Sequence, residues 1–188
     1  MTSFLKVGLA SLLLVPLLAQ AHGPSRQKVE ESIIINASPA VVWDVVRDPT
    51  MLSDWHPGVK TSYFDNKMQT VTLNCDKKSV ISKELLRQDH EKMLMQYKIT
   101  NMTTLDTIQW NSQDFEMKVW PVSTYKSWLT VTPEGEGSKV TWKGKFYRAF
   151  MLNPPTPPEN SDKDAVKAVQ DFYSVGLEGL KAHIELPK

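Results

Sequence analysis

Apolar and polar residues alternate along this chain in an order that predicts its elements. Val29 to Ile35 is isoleucine-rich and ends at Asn36-Ala37-Ser38-Pro39, which predicts a strand running into a helix start. Ser38 is placed to cap, with Pro39 at the first helical position, where its missing N–H costs nothing. Val42, Trp43, Val45 and Val46 give this helix its apolar side, and Asp48-Pro49 ends it. Thr50 to Trp55 predicts a second short helical turn before the loop His56-Pro57-Gly58.

From Val59 to Tyr147 the pattern has period two, broken by polar turns. Met93, Met95, Tyr97 and Ile99 alternate with Leu94, Gln96 and Lys98; Val71, Leu73 and Cys75 alternate likewise, as do Val140, Trp142 and Phe146 after the turn at 133–137. Period two with short turns predicts an antiparallel meander with one covered face, since parallel strands need long crossovers. Trp142, Met93, Met95 and Tyr97 fall on the positions that should face inward. After the proline-rich loop at 153–158, Val166, Val169, Phe172, Tyr173, Leu177, Leu180 and Ile184 recur at helical spacing. Ser161 and Asp164 form a capping-box pattern at its start, and Gly176 and Gly179 predict close approach to the sheet or to a ligand. The expected fold is α+β, a helix grip: a curved antiparallel sheet wrapped around a long C-terminal helix, with two short helices after the first strand.

The N-terminus adds an address. Lys6, an apolar run from Val7 to Leu18, and Ala19-Gln20-Ala21 before His22 predict an export signal over residues 1–21, cleaved after Ala21. The expected mature protein, 22–188, is a single domain in the periplasm without a stable membrane anchor. Twenty-two Lys and Arg against 21 Asp and Glu give a net charge of +1, with no basic run to suit nucleic acid. Cys75, the only cysteine, excludes an intrachain disulfide and is expected to be buried.

At this point the chain resembles known proteins. Residues 33–43 with Asp54-Trp55-His56-Pro57 resemble the opening of the START-like superfamily, which includes polyketide cyclases and lipid-transfer domains. The start His22 to Val29, the Trp55-His56-Pro57 turn and the stretch Gly137 to Arg148 further resemble the MxaD type of periplasmic protein, associated with methanol oxidation. That resemblance implies a non-catalytic accessory role beside methanol dehydrogenase and the c-type cytochrome that accepts its electrons. Cys75-Asp76-Lys77-Lys78 departs from it, where relatives carry a glycine turn.

Candidate chemistry is sparse. There is no phosphate loop, paired-cysteine spacing or His-Glu helix motif, and His22, His56, His90 and His183 lie far apart, so neither metal nor cofactor is expected. The exception worth stating is a copper chelate at the mature amino terminus of His22, for which His56 is the one further ligand that can be named. The candidate lining of a ligand cavity is Trp55, His56, Met93, Met95, Tyr97, Trp142, Phe146, Phe172 and Tyr173. Trp120, Trp128, Pro154 and Pro155 are candidate partner contacts on the opposite face or the rim. Three classes stay open: the accessory protein, a carrier of a small apolar ligand, and a cyclase- or dehydratase-like enzyme using His56, Tyr97 and Tyr173.

Overall fold

The computed structural model describes residues 23–75 and 79–186. The export signal, its cleavage point and His22 lie outside these residues, as do residues 76–78. No helix among the described residues is long and apolar enough to cross a membrane.

The chain runs β1 (Gln27–Ile35), α1 (Pro39–Val46), a 3-10 turn (Pro49–Met51), α2 (Leu52–Trp55), β2 (Val59–Asp65), β3 (Met68–Leu73), β4 (Val80–Asp89), β5 (Leu94–Met102), β6 (Thr104–Trp110), β7 (Gln113–Lys118), β8 (Val122–Glu134), β9 (Gly137–Arg148) and α3 (Asp162–Glu185). Seven strands form one antiparallel sheet in the order β1-β9-β8-β5-β4-β3-β2. It curves around α3, which packs on β1 and β9, and the helix-grip expectation holds. Between these layers sit Ile35, Val140, Phe146, Val169, Tyr173 and Leu180, each fully buried.

Local chemistry explains the ends of these elements. Ser161 Oγ accepts from Asp164 N, and Asp164 Oδ2 accepts from Ser161 N at 3.0 Å, so the capping box starts α3 as expected. Ser38 occupies the cap position of α1 but makes no side-chain cap bond. Asp48 caps the 3-10 turn instead, accepting from Thr50 N at 2.9 Å. The β8–β9 hairpin closes through Gly135 and Glu136, with Gly135 at φ +56, a left-handed turn position at which glycine is unstrained.

Four expectations are corrected here. β5 begins at Leu94, and Met93 lies in the preceding turn at φ 44, so it is not an inward strand residue. β3 ends at Leu73, which leaves Cys75 exposed beyond it rather than buried. Gly179 makes room for the Trp55-His56-Pro57 loop rather than for the sheet, whereas Gly176 admits both His56 of that loop and Trp142 of β9. Finally, β6 and β7 leave the main sheet as a separate two-stranded arm, whose Phe115 meets Phe150 edge-on at 5.4 Å and whose Trp110 Nε1 donates to Pro155 O at 2.9 Å. The arm thereby braces the loop between β9 and α3.

Candidate functional site

Inward positions of the sheet, one side of α3 and the α1–α2 segment enclose a cavity. The α1–α2 segment supplies Val46, Asp48, Pro49, Leu52 and Trp55; β3 and β4 supply Gln69, Val71, Ile81 and Lys83; β5, β8 and β9 supply Met95, Tyr97, Tyr125, Ser127, Leu129 and Trp142; Trp120 and Phe172 complete it. Aromatic rings occupy much of this space, leaving about 40 Å³ for water-sized guests, room for a few waters.

Of the sequence candidates, Trp55, Met95, Tyr97, Trp142 and Phe172 line the cavity. Met93 packs on the core from its turn without lining it. Phe146 is wholly buried in the core, stacked on Tyr125 at 6.1 Å. Tyr173, also wholly buried, stacks on Trp142 at 4.5 Å and shares a hydrogen bond with the Tyr125 hydroxyl. Burial raises the pKa of both phenols, which keeps them protonated and occupied with each other.

His56 does not line the cavity either. Its Nδ1 accepts from Gly58 N at 3.0 Å, which requires the proton on Nε2, and Nε2 donates to Phe172 O at 3.0 Å. The ring is 1% exposed and lies against Phe172 with centroids 3.9 Å apart. Gly176 permits this seat, since a Cβ there would stand 2.5 Å from His56 Cδ2. Burial, reinforced by the charge on Lys83 and opposed by the Phe172 bond, lowers the imidazole pKa from 6.5 to about 4. A buried neutral ring with both nitrogens engaged has neither a lone pair for copper nor a proton to exchange with a substrate. Among the described residues no cluster of three His, Cys, Asp or Glu could hold a metal.

The shift has a measurable consequence. The unfolded chain takes up a proton at His56 near pH 6.5, the folded chain only near 4, so this residue's contribution to stability is whole above pH 6.5 and is lost on acidification. That loss is expected to reach about 3 kcal/mol by pH 4. Urea titrations of the protein and of His56→Gln across this window should show the wild-type slope exceeding the variant's; equal slopes would refute the assignment.

Sequence reasoning missed Lys83, Gln69 and Asp48. Lys83 is half-buried, its ammonium 5.0 Å from the centre of the Tyr97 ring. Burial lowers its pKa from 10.5 to about 7, and among the described residues no carboxylate forms an ion pair with it. Gln69 donates to Pro49 O at 2.8 Å and Ser62 Oγ at 2.9 Å, while its Oε1 is buried without a donor. Trp55 Nε1 is buried without an acceptor. The signal for Lys83 and Gln69 was a polar residue in the inward phase of Ile81-Lys83-Leu85 and Gln69-Val71-Leu73.

The partner candidates divide. Trp120 is 8% exposed and meets Phe172 edge-on at 4.8 Å, so it belongs to the cavity rather than to a rim. Trp128 is half-buried on the outer face, opposite Lys143 and beneath Lys145 at 6.0 Å. Lys98, Lys126, Lys145 and Lys28 are direct cross-strand neighbours in one row beside it. Pro154 and Pro155 are exposed on a loop that Arg148 holds through Phe150 O at 2.8 Å, Leu152 O at 2.9 Å and Asp162 Oδ2 at 3.0 Å.

Comparison with known proteins returns the same architecture. Residues 26–185 match the family model described as polyketide cyclase / dehydrase and lipid transport. No curated protein matches the chain. Among solved structures, XoxI from Bacillus cereus is 21% identical over 84% of this chain and 94% of its own, with a TM-score of 0.65. The Zhui aromatase/cyclase from a Streptomyces species is 16% identical over 86% and 94%, at 0.61. A START superfamily protein from Mycobacterium smegmatis is 11% identical over 84% and 97%, at 0.59. Likeness at these identities establishes the fold and no more.

Proposed function

We propose that this chain, which belongs to the polyketide cyclase / dehydrase and lipid-transport family, is a non-catalytic periplasmic accessory protein of methanol oxidation that assists methanol dehydrogenase and its exchange with cytochrome c. The methanol-oxidation part rests on the MxaD-type resemblance at His22–Val29, Trp55-His56-Pro57 and Gly137–Arg148. The observation that carries the non-catalytic part is the seat of His56, both of whose ring nitrogens are spent on backbone groups. With Tyr125 and Tyr173 paired to each other, the cavity offers no histidine–carboxylate or histidine–tyrosine set for acid–base work.

A docking face follows from the outer sheet. Trp128 with the row Lys98, Lys126, Lys145 and Lys28 suits an acidic partner surface, with an aromatic anchor beside charges that steer encounter. Glu84 and Glu30 pair with Lys98 and Lys28, each at 2.7 Å, which leaves Lys126 and Lys145 as the row's unpaired charges among the described residues. Pro154 and Pro155 offer a second contact on the loop.

Stopped-flow reduction of the cytochrome by the dehydrogenase tests the reading. The mature protein is expected to raise the rate by roughly an order of magnitude at low salt, as charge steering allows, and Lys126→Glu with Lys145→Glu to abolish the gain. Identical rates with and without the protein would remove the accessory role.

One observation favours a second reading, a small-ligand carrier or a cyclase- or dehydratase-like enzyme. Lys83 faces the cavity with a pKa near 7, a value suited to a general base. Turnover abolished by Lys83→Met would select the enzyme over the accessory protein.

A further inference from the structure

We infer that the cavity binds a small organic anion, its apolar body among Trp120, Trp142 and Phe172 and its negative head on Lys83. The inference rests on the family reading that the cavity holds a ligand and adds the ligand's chemical class.

Three residues that line this space carry a polar atom without a hydrogen-bond or ion-pair partner among the described residues: Lys83, Trp55 and Gln69. Lys83 brings a cation, and the carboxylate that shares the cavity, Asp48, is engaged by Thr50 N at 2.9 Å and Thr50 Oγ1 at 2.6 Å. Trp55 is 5% exposed and Gln69 2%, yet Trp55 Nε1 lacks an acceptor and Gln69 Oε1 lacks a donor. Buried polar groups are almost always satisfied, and each that is not calls for an explanation. The Lys83 ammonium is a donor for a carboxylate, and a charge-assisted bond in a low-dielectric site is stronger than its neutral counterpart. Gln69 Oε1 remains to accept from a hydroxyl of the ligand or from a water. The remaining walls, from Val46, Leu52, Val71, Ile81, Met95 and Leu129, suit a hydrocarbon body. The available room, about 40 Å³, is far below the ~150 Å³ in which an apolar cavity takes a benzene ring, and restricts that body to a chain of one or two carbons.

Calorimetry and amide chemical shifts with acetate and propionate, set against acetamide and propionamide, provide the test. At least one anion is expected to bind at least tenfold more tightly than its amide, and Lys83→Met to erase that preference. The variant removes an unpaired charge from an apolar wall, so its folding is not at risk. Equal affinity for anion and amide would overturn the anion site and leave a cavity that binds neutral guests. A preference that survives in Lys83→Met would also overturn it. Binding of none of the four would overturn both the anion site and the ligand-holding cavity beneath it. The outer-face lysines are untouched by the variant, so the cytochrome experiment stands or falls separately.

Discussion

Replacing Gly179 with alanine is expected to destabilise the protein by at least about 3 kcal/mol, although alanine is the better helix former by about 1 kcal/mol. The added Cβ would stand 2.1 Å from the Trp55 carbonyl oxygen and 2.5 Å from Pro57 Cδ. Neither neighbour can rotate away, one being backbone and the other a ring, so α3 or the 55–58 loop must move. Gly176→Ala meets the same obstacle at His56, whose ring is held between Gly58 N and Phe172 O. At Gly23, by contrast, nothing lies within 4 Å of an added Cβ, and Gly23→Ala should leave stability unchanged. Urea denaturation of the three variants checks the ranking, and a Gly179→Ala protein as stable as wild type would show that the loop yields at little cost.

Lys83→Met is expected to act in the opposite direction. The unfolded chain holds a proton on this lysine up to about pH 10.5, the folded chain only up to about 7. Between these values the unfolded state binds more protons, so stability rises with pH; below 7 the penalty of the buried charge is present in full, and above 10.5 it is gone. A shift of this size corresponds to a few kcal/mol, and methionine of similar length replaces the charge with apolar contact. A gain of about 3 kcal/mol at pH 6, shrinking towards pH 10, is the expected result in paired denaturation curves. A loss at pH 6 would mean that the ammonium is solvated or paired in the folded protein.

How much of this was legible beforehand depends on the range of the interaction. The terminal helix was readable because its apolar spacing and the Ser161–Asp164 box are local, and both stand as expected. Alternation placed Met95 and Tyr97 inward correctly but carried the pattern one step too far, to Met93, where the hairpin turn takes over. The Trp120-Pro121 pair has the composition of a loop, yet the ring turns inward to Phe172 and Tyr125, a choice made by residues on distant elements. The β6–β7 arm left a fainter trace. Asn111 and Ser112, both at positive φ, join strands paired Trp110 to Gln113, the two-residue turn expected of a tight hairpin. The orientation of His56 was only half local, because Gly58, two residues on, fixes one ring nitrogen while the distant Phe172 and Gly176 fix the other side.

The distribution of indoles equips the protein with two optical channels. Trp55, Trp120 and Trp142 border the cavity, whereas Trp128 lies on the outer sheet under Lys145. A guest in the cavity changes the surroundings of the first group, and a protein seated on the lysine row shields the second from a dissolved quencher. With the two remaining indoles, Trp43 and Trp110, replaced by phenylalanine, intrinsic emission can therefore separate filling from docking within one sample.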